Sequence, residues 1–249
     1  MRNTDDLIGV VFDDRYEITD MVGQGGMATV YRAIHRRLDK VVALKVMSRE
    51  VTHEEKQIKR FTQEAKSCSR LQHPNIIRVF DYGQSGDGLF FIAMELLEGP
   101  TLAEVIRNQF PISGQRACLM MKQVCDSLEA AHDQGIIHRD LKPDNIMLSN
   151  ADGKDDFVKI LDFGIAKVVN ESTHETLTQT GYICGTPLYI SPEQSLGKQL
   201  DGRADIYSVG VILFELLAGR QPFVADTAIA LVMKHIHDTP PRVRLFTPR

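Results

Sequence analysis

The run His138-Arg139-Asp140-Leu141-Lys142-Pro143-Asp144-Asn145 places a carboxylate, an ammonium and a carboxamide within six positions. Asp162-Phe163-Gly164 adds a second carboxylate beside a glycine, at a distance that fits one β-hairpin. Phosphoryl transfer from a metal nucleotide asks for that set: a group to orient a hydroxyl, a cation for developing charge, and oxygen ligands for Mg²⁺. It asks for positioning and electrostatics rather than a reactive nucleophile, so no catalytic Cys or Ser is required. The plain alternative is a turn-rich surface loop that happens to carry charges.

The elements around these residues can be read from their patterns. Gly23-Gln24-Gly25-Gly26-Met27-Ala28-Thr29-Val30 is glycine-rich and runs into the β-branched and aromatic stretch Thr29 to Ile34. A strand after the glycines, rather than a helix, argues against a dinucleotide-binding turn. It describes a flexible hairpin whose bare backbone N–H groups can close over phosphates, or a plain glycine-rich hairpin. Val42-Ala43-Leu44-Lys45-Val46 is a strand with one lysine among apolar residues, and Ala43 and Lys45 share a face. His53 to Leu71 reads as a helix with Ile58, Phe61, Ala65, Cys68 and Leu71 inward, and Glu64 falls on that face. A Lys45–Glu64 ion pair accounts for both misplaced charges; two unrelated edge charges are the alternative.

Phe90 to Leu96 is a further apolar run, bounded by glycines. Gln115 to His132 spaces Ala117, Met120, Met121, Val124, Leu128 and Ala131 as one helix face. Asp205 to Ala218 is apolar nearly all round and reads as a buried helix. A β-rich front and a helical back describe segregated α+β lobes.

Composition narrows the class. The 249 residues are 43% hydrophobic and 25% charged with net charge −4, which fits a soluble globular chain and not a general nucleic-acid or membrane-surface binder. Cys68, Cys118, Cys125 and Cys184 form no CxxC pair, so free thiols in a reducing cytoplasm are expected. Met1 to Asp6 lacks a signal-peptide core, and Val209 to Ala218 is too short to cross a bilayer.

Taken in order, these motifs resemble the protein kinase superfamily, and in particular the bacterial eukaryotic-like serine/threonine kinases. The bacterial flavour lies in Gly25-Gly26-Met27, Arg60-Phe61-Thr62-Gln63-Glu64-Ala65 and Ser191-Pro192-Glu193-Gln194. The resemblance runs from about Tyr16 to Pro241 and implies a two-lobed α+β fold: a small antiparallel sheet with one helix, then a larger helical lobe. The expected division of residues 1–249 is a lead-in over 1–15, a first lobe over 16–96 and a second over 97–249. It further implies ATP with Mg²⁺, or Mn²⁺, and protein substrates with Ser/Thr acceptors. Lys142, two after Asp140, follows the Ser/Thr pattern.

Residue by residue, the resemblance makes Asp140 the group that orients the hydroxyl, Lys142 the cation, and Asn145 and Asp162 the metal ligands. Lys45, held by Glu64, meets the α- and β-phosphates. Val22, Gly23, Gln24, Gly25, Gly26, Met27 and Ala28 form the phosphate loop, with Ala28 where a third glycine is usual. Val30, Ala43 and Met147 sandwich the adenine, Met94 is the gatekeeper, and Glu95 and Leu97 meet the adenine edge. Cys68, Val79, His138 and Phe163 form a hydrophobic stack, and Thr186 reaches Lys142 and Asp140. Asp205 caps the backbone of the catalytic loop. Arg139 implies activation by phosphate on the loop from Asp162 to Glu193, with Thr178 and Thr180 as autophosphorylation sites and Lys167 as a second phosphate ligand. A transient homodimer would serve phosphorylation in trans.

Two departures follow. Ser191 stands where the family has alanine, and the chain ends at Arg249, short of two helices usual in kinases. Glu193 is therefore expected to lack its arginine partner. His235-Ile236-His237 has metal-like spacing but no acidic or thiol neighbours in sequence, so the expectation is a solvated helix end. A cytoplasmic location is expected, alone or as part of a longer membrane-anchored receptor. A pseudokinase that binds nucleotide without transfer stays open, as does a small-molecule kinase. The intact Lys45, Glu64, Asp140, Asn145 and Asp162 oppose the first, and the Ser191-Pro192-Glu193 turn opposes the second.

Overall fold

Val42, Leu44 and Val46 alternate with Ala43 and Lys45, and the chain from Lys40 to Met47 forms a strand buried on both faces at its centre. The computed structural model describes residues 7–25, 28–48, 65–66, 68–149, 155–163 and 187–247. Two compact units divide the chain: Met1–Gln72 with Ile77–Glu98, and His73–Ile76 with Gly99–Arg249.

The first unit is an antiparallel sheet of β1 (Val11–Phe12), β2 (Tyr16–Gln24), β3 (Ala28–His35), β4 (Lys40–Met47), β5 (Val79–Gln84) and β6 (Phe90–Met94), ordered β1-β2-β3-β4-β6-β5. Pairing Leu44 with Tyr31 and Ala93, and Val46 with Phe91, sets the register. Residues opposite one another share a face, so Tyr31, Ala33, Val42, Leu44, Val46, Phe91 and Ala93 all point into one core. Each large side chain fully buried there contributes about 1.5–3 kcal/mol. The lead-in is part of this unit: β1 pairs with β2, and Leu7 and Phe12 are buried in the same core, Phe12 edge-on to Phe91 at 5.4 Å. Apolar residues at positions 7 and 12 outweigh the acidic ones between which they lie. The helix expected from His53 to Leu71 falls mostly outside the described residues; Ala65, Lys66 and Cys68 are helical.

The second unit is helical with one hairpin. Its helices are α1 (Leu102–Gln109), α2 (Gly114–His132), α3 (Pro192–Ser195), α4 (Arg203–Ala218) and α5 (Ala228–His237), and its hairpin pairs β7 (Ile146–Ser149) with β8 (Phe157–Ile160). Thr101 starts α1 with a capping box, its Oγ1 accepting from Glu104 N while Glu104 accepts from Thr101 N. Ser113 and Thr227 cap α2 and α5. The expected apolar face of α2 is buried from Ala117 to Ala131, and α2 packs against α4. Helix α4 is less enclosed than its composition suggests: Ile206 is 51% exposed, so one stripe faces out.

The hairpin is fixed to α2 by polar contacts. Gln123 accepts from Val158 N at 3.1 Å and donates to Asp156 O at 3.0 Å. Asn75 donates to Val158 O at 2.8 Å, and Arg116 forks onto Asp156 at 2.7 and 2.8 Å. The His235 expectation is corrected. His235 is 4% exposed, lies against the Tyr207 and Phe223 rings and shares a 2.8 Å hydrogen bond with Tyr207, because the inner face of α5 packs at that position.

Gly99 has φ 138°, and a Cβ there would stand 2.0 Å from Leu148 O. Gly99→Ala is expected to destabilise the protein by at least about 2 kcal/mol, read as a lower urea midpoint.

Candidate active site

In the first unit, the face of the sheet opposite the core gathers the residues expected at the nucleotide. The register sets Val30 and Ile92 across from Lys45, and Met94 across from Ala43. Val30, Ala43, Lys45 and Met94 therefore share one face. Lys45 is half-buried in the middle of the sheet. Val22, Gly23 and Gln24 end β2, where burial gives way to exposure. Gly25 N donates to Ala28 O at 2.9 Å; Gly26 and Met27 lie outside the described residues. Glu95 follows β6; its N donates to Arg78 O at 3.0 Å and its carboxylate accepts from Arg78 N at 2.8 Å. Leu97 is half-buried beyond it. Glu64 lies outside the described residues, so its pairing with Lys45 has no structural description.

In the second unit, the loop between α2 and β7 brings two of the expected residues onto the carboxylate of a third. Lys142 Nζ donates to Asp140 Oδ2 at 3.0 Å. Asn145 Nδ2 donates to Asp140 O at 2.8 Å and lies 3.3 Å from Oδ2. Both side chains of the Lys142–Asp140 pair are about a third exposed, so the pair is worth little as stability and serves to aim the groups. Met147 lies in β7, half-buried.

Asp162 is positioned through its neighbours. Leu161 N donates to Asn145 O at 2.9 Å, and His138 Nε2 meets Leu161 O at 2.8 Å. The His138 and Phe163 rings lie 4.7 Å apart, and both side chains are buried. His138 is thus a packed scaffold residue, as the sequence implies. Asp162 itself sits at φ 52°, a left-handed turn that ends the hairpin segment.

The loop backbone is strained and held. Arg139 has φ 66°, and Asp140 N donates to His138 O at 2.9 Å, closing a three-residue turn. Such a turn at a residue other than glycine costs on the order of 1–3 kcal/mol. Asp205, 1% exposed, offsets that cost by accepting from His138 N at 2.8 Å and Arg139 N at 2.9 Å. His132 Nε2 makes a third bond to Asp205 at 2.7 Å. Burial pushes the Asp205 carboxyl up, but His132, His138 and the two amides outweigh it and hold it below the ordinary range.

Near the C-terminal side of the loop, Ser191 caps α3. Its Oγ accepts from Gln194 N at 3.2 Å, which explains a serine at a position where alanine is usual. Tyr189 donates to Glu215 at 2.6 Å, and Gln221 donates to the other oxygen at 2.7 Å. Burial raises the Glu215 carboxyl despite the Tyr189 bond, and burial with that bond raises the Tyr189 hydroxyl. Lys167, Thr178, Thr180 and Thr186 lie outside the described residues. Sequence reasoning missed His132, Gln194, Asn75 and Gln123 as residues that hold the site. Only Gln194 had left a trace, as the last letter of the Ser191-Pro192-Glu193-Gln194 run.

The oxygen-rich set suits a hard cation. Asn145 Nδ2 is taken by Asp140, which leaves its amide oxygen as an acceptor. Among the described residues no group of three or more His, Cys, Asp or Glu is arranged to hold a metal ion by itself. A cation shared with nucleotide phosphates needs only one or two carboxylates.

A glycine-rich antiparallel sheet in one unit, and in the other a helical frame bearing this loop, are the parts of a phosphotransferase. Residues 16–245 match the protein kinase domain family, and the chain belongs to it. It is 46% identical over 241 residues to serine/threonine-protein kinase pkn3 of Myxococcus xanthus, covering 96% of this chain and 44% of that protein. It is 38% identical over 242 residues to serine/threonine-protein kinase PrkC of Bacillus subtilis, covering 97% of this chain and 36% of that protein. The chain thus spans less than half the length of these relatives. Among solved structures, the Mycobacterium tuberculosis PknI kinase domain matches with TM-score 0.73 and 28% identity, covering 96% of this chain and 83% of that one.

Two outcomes follow from this geometry. Asp205→Asn keeps one acceptor oxygen and leaves a backbone amide unpaired, so it should cost about 2–3 kcal/mol in urea unfolding at neutral pH. Because the folded Asp205 binds its proton less readily than the ordinary 3.8, the stability it gives is full above that value and lost as pH falls through the lower, folded one. Asp205→Asn should therefore flatten the acid limb of the stability curve below about pH 4. Ser191→Ala should lower stability by about 1 kcal/mol through loss of the cap.

Proposed function

We propose that this chain is the catalytic domain of a serine/threonine protein kinase, and that it phosphorylates itself. The observation that carries the reading is the convergence of Lys142 and Asn145 on Asp140, with Asp162 tied to the same loop through Leu161 and His138. The named function of the relatives and the Lys142 position support Ser/Thr acceptors.

In this reading Asp140 accepts a hydrogen bond from the substrate hydroxyl and orients its oxygen toward the γ-phosphorus of ATP. The O–P bond forms, the bond to the β-phosphate oxygen breaks, ADP leaves, and Asp140 takes the hydroxyl proton. Lys142 offsets charge on the transferred phosphoryl group. Asn145 and Asp162 hold Mg²⁺, or Mn²⁺, which when bound neutralises charge on the β- and γ-phosphates. Lys45, steadied by Glu64, pairs with the α- and β-phosphates, and the Gly23–Ala28 hairpin closes over them with backbone N–H groups. Val30, Ala43, Met94 and Met147 meet the purine, and Glu95 O and Leu97 N its polar edge. Thr186 steadies Lys142 and Asp140. Phosphate on Thr178 or Thr180 pairs with Arg139 and Lys167 and orders the loop that carries them. Transfer between two copies accounts for self-phosphorylation. Among the described residues no helix is long and apolar enough to cross a membrane. Cys118 and Cys125 are free thiols, which supports work in the cytoplasm.

Incubation with Mg²⁺–ATP followed by mass-spectrometric phosphosite mapping tests the reading, beside Asp162→Asn. Time-dependent phosphate on Thr178 or Thr180 is expected, falling at least about 10²-fold in Asp162→Asn. A folded chain that binds ATP but gains no phosphate would replace catalysis with nucleotide binding alone.

A further inference from the structure

The strained turn at Arg139 is held from both sides. Asp205 Oδ1 takes Arg139 N at 2.9 Å. The carbonyl on the other side, Arg139 O, begins the peptide bond to Asp140, and it accepts from Gln194 Nε2 at 2.7 Å. Gln194 is 7% exposed, so water offers that carbonyl little in exchange if the amide is removed.

The carboxamide of Gln194 is used at both ends. Its Oε1 accepts from Ser191 N at 3.1 Å, closing the reciprocal cap of α3. Its Nε2 reaches a loop 55 residues earlier in the chain. A cap alone needs only the acceptor, and glutamate supplies that as well as glutamine does. A carboxamide supplies an acceptor and a donor side by side at neutral pH, which a carboxylate does not. The donor therefore answers to Arg139 O and not to the helix. Loss of it frees the Arg139–Asp140 peptide to rotate and relax the left-handed turn, and the Asp140 carboxylate moves with that peptide.

We propose that Gln194 is a positioning residue for phosphotransfer, acting through the Arg139 carbonyl to aim Asp140. The inference rests on the kinase reading above. The geometry separates clamp from cap. Gln194→Glu keeps the cap acceptor and loses the donor at neutral pH, whereas a protonated glutamic acid donates again. Gln194→Met, of similar length and uncharged, loses both. Ser191→Ala weakens the cap and leaves the donor in place.

The experiment measures kcat and KM for ATP across pH on the full chain, with amide hydrogen exchange of the segment 136–142. Gln194→Glu is expected to lower kcat by about 10–100-fold with KM within about threefold, the deficit shrinking as pH falls. Gln194→Met should show the same deficit without the pH recovery, and Ser191→Ala should keep kcat within about twofold. Exchange at Arg139 and Asp140 should quicken about tenfold in both Gln194 variants. If Gln194→Glu does not fold, Gln194→Met decides. A Gln194→Met kcat within twofold of the unaltered chain overturns the proposal, as does a Ser191→Ala deficit equal to that of Gln194→Met. Should the unaltered chain transfer no phosphate, the kinase reading fails by itself. Exchange then decides the clamp alone, and unchanged exchange overturns it.

Discussion

A single buried carboxylate sets the geometry of the catalytic loop. Asp205 lies at the start of α4, 1% exposed, and takes hydrogen bonds from His138 N, Arg139 N and the His132 ring. A buried charge is tolerated only when its oxygens are this fully used. The cost of the left-handed turn at Arg139 and the desolvation of Asp205 are each offset by the same bonds. Neighbouring positions are shaped to permit them. Gly202 must be a glycine where His132 passes, because a Cβ there would stand 2.5 Å from His132 Nδ1. From this anchor the loop runs to Asp140, Lys142 and Asn145. The Leu161 amide on Asn145 and the His138 ring on Leu161 and Phe163 then carry the order across to Asp162.

The sheet of the first unit solves a different problem by a related division. One face carries Tyr31, Leu44, Val46 and Phe91 into a core, where burial of apolar area stabilises the unit. The other face, free of that task, shows Val30, Ala43, Lys45 and Met94. A lysine in a central strand is expensive in a core and far less so on the opposite face. The pleat makes both possible in one strand, since successive residues point to opposite sides.

Much of the fold was legible in the amino-acid order. The helix α2 and its inward residues, the strands around Lys45 and the hairpin between Asn145 and Asp162 each follow from local periodicity, which short-range physics writes directly into sequence. The convergence of Lys142 and Asn145 on Asp140 was legible too, because all three lie within one loop. What was misread depends on neighbours far along the chain. His235 looks like a solvated helix end until Tyr207 and Phe223 are brought against it. The polar lead-in shows no sign in its own composition that Leu7 and Phe12 join the core.

Sequence alone determined which residue types stand together in the loop and which elements bear them, since types, spacing and hydrophobic period are local properties. Tertiary structure decided the rest of how the loop is held: the resemblance implied Asp205 as its cap, but neither Gln194 nor Asn75. The bonds from Asp205 and Gln194 to Arg139 span 66 and 55 residues, and the Asn75 bond to Val158 spans 83. No local pattern marks a carbonyl that needs a donor, because any residue has the same carbonyl. Which side chain answers it is settled only when packing brings the two together and excludes the water that would otherwise serve.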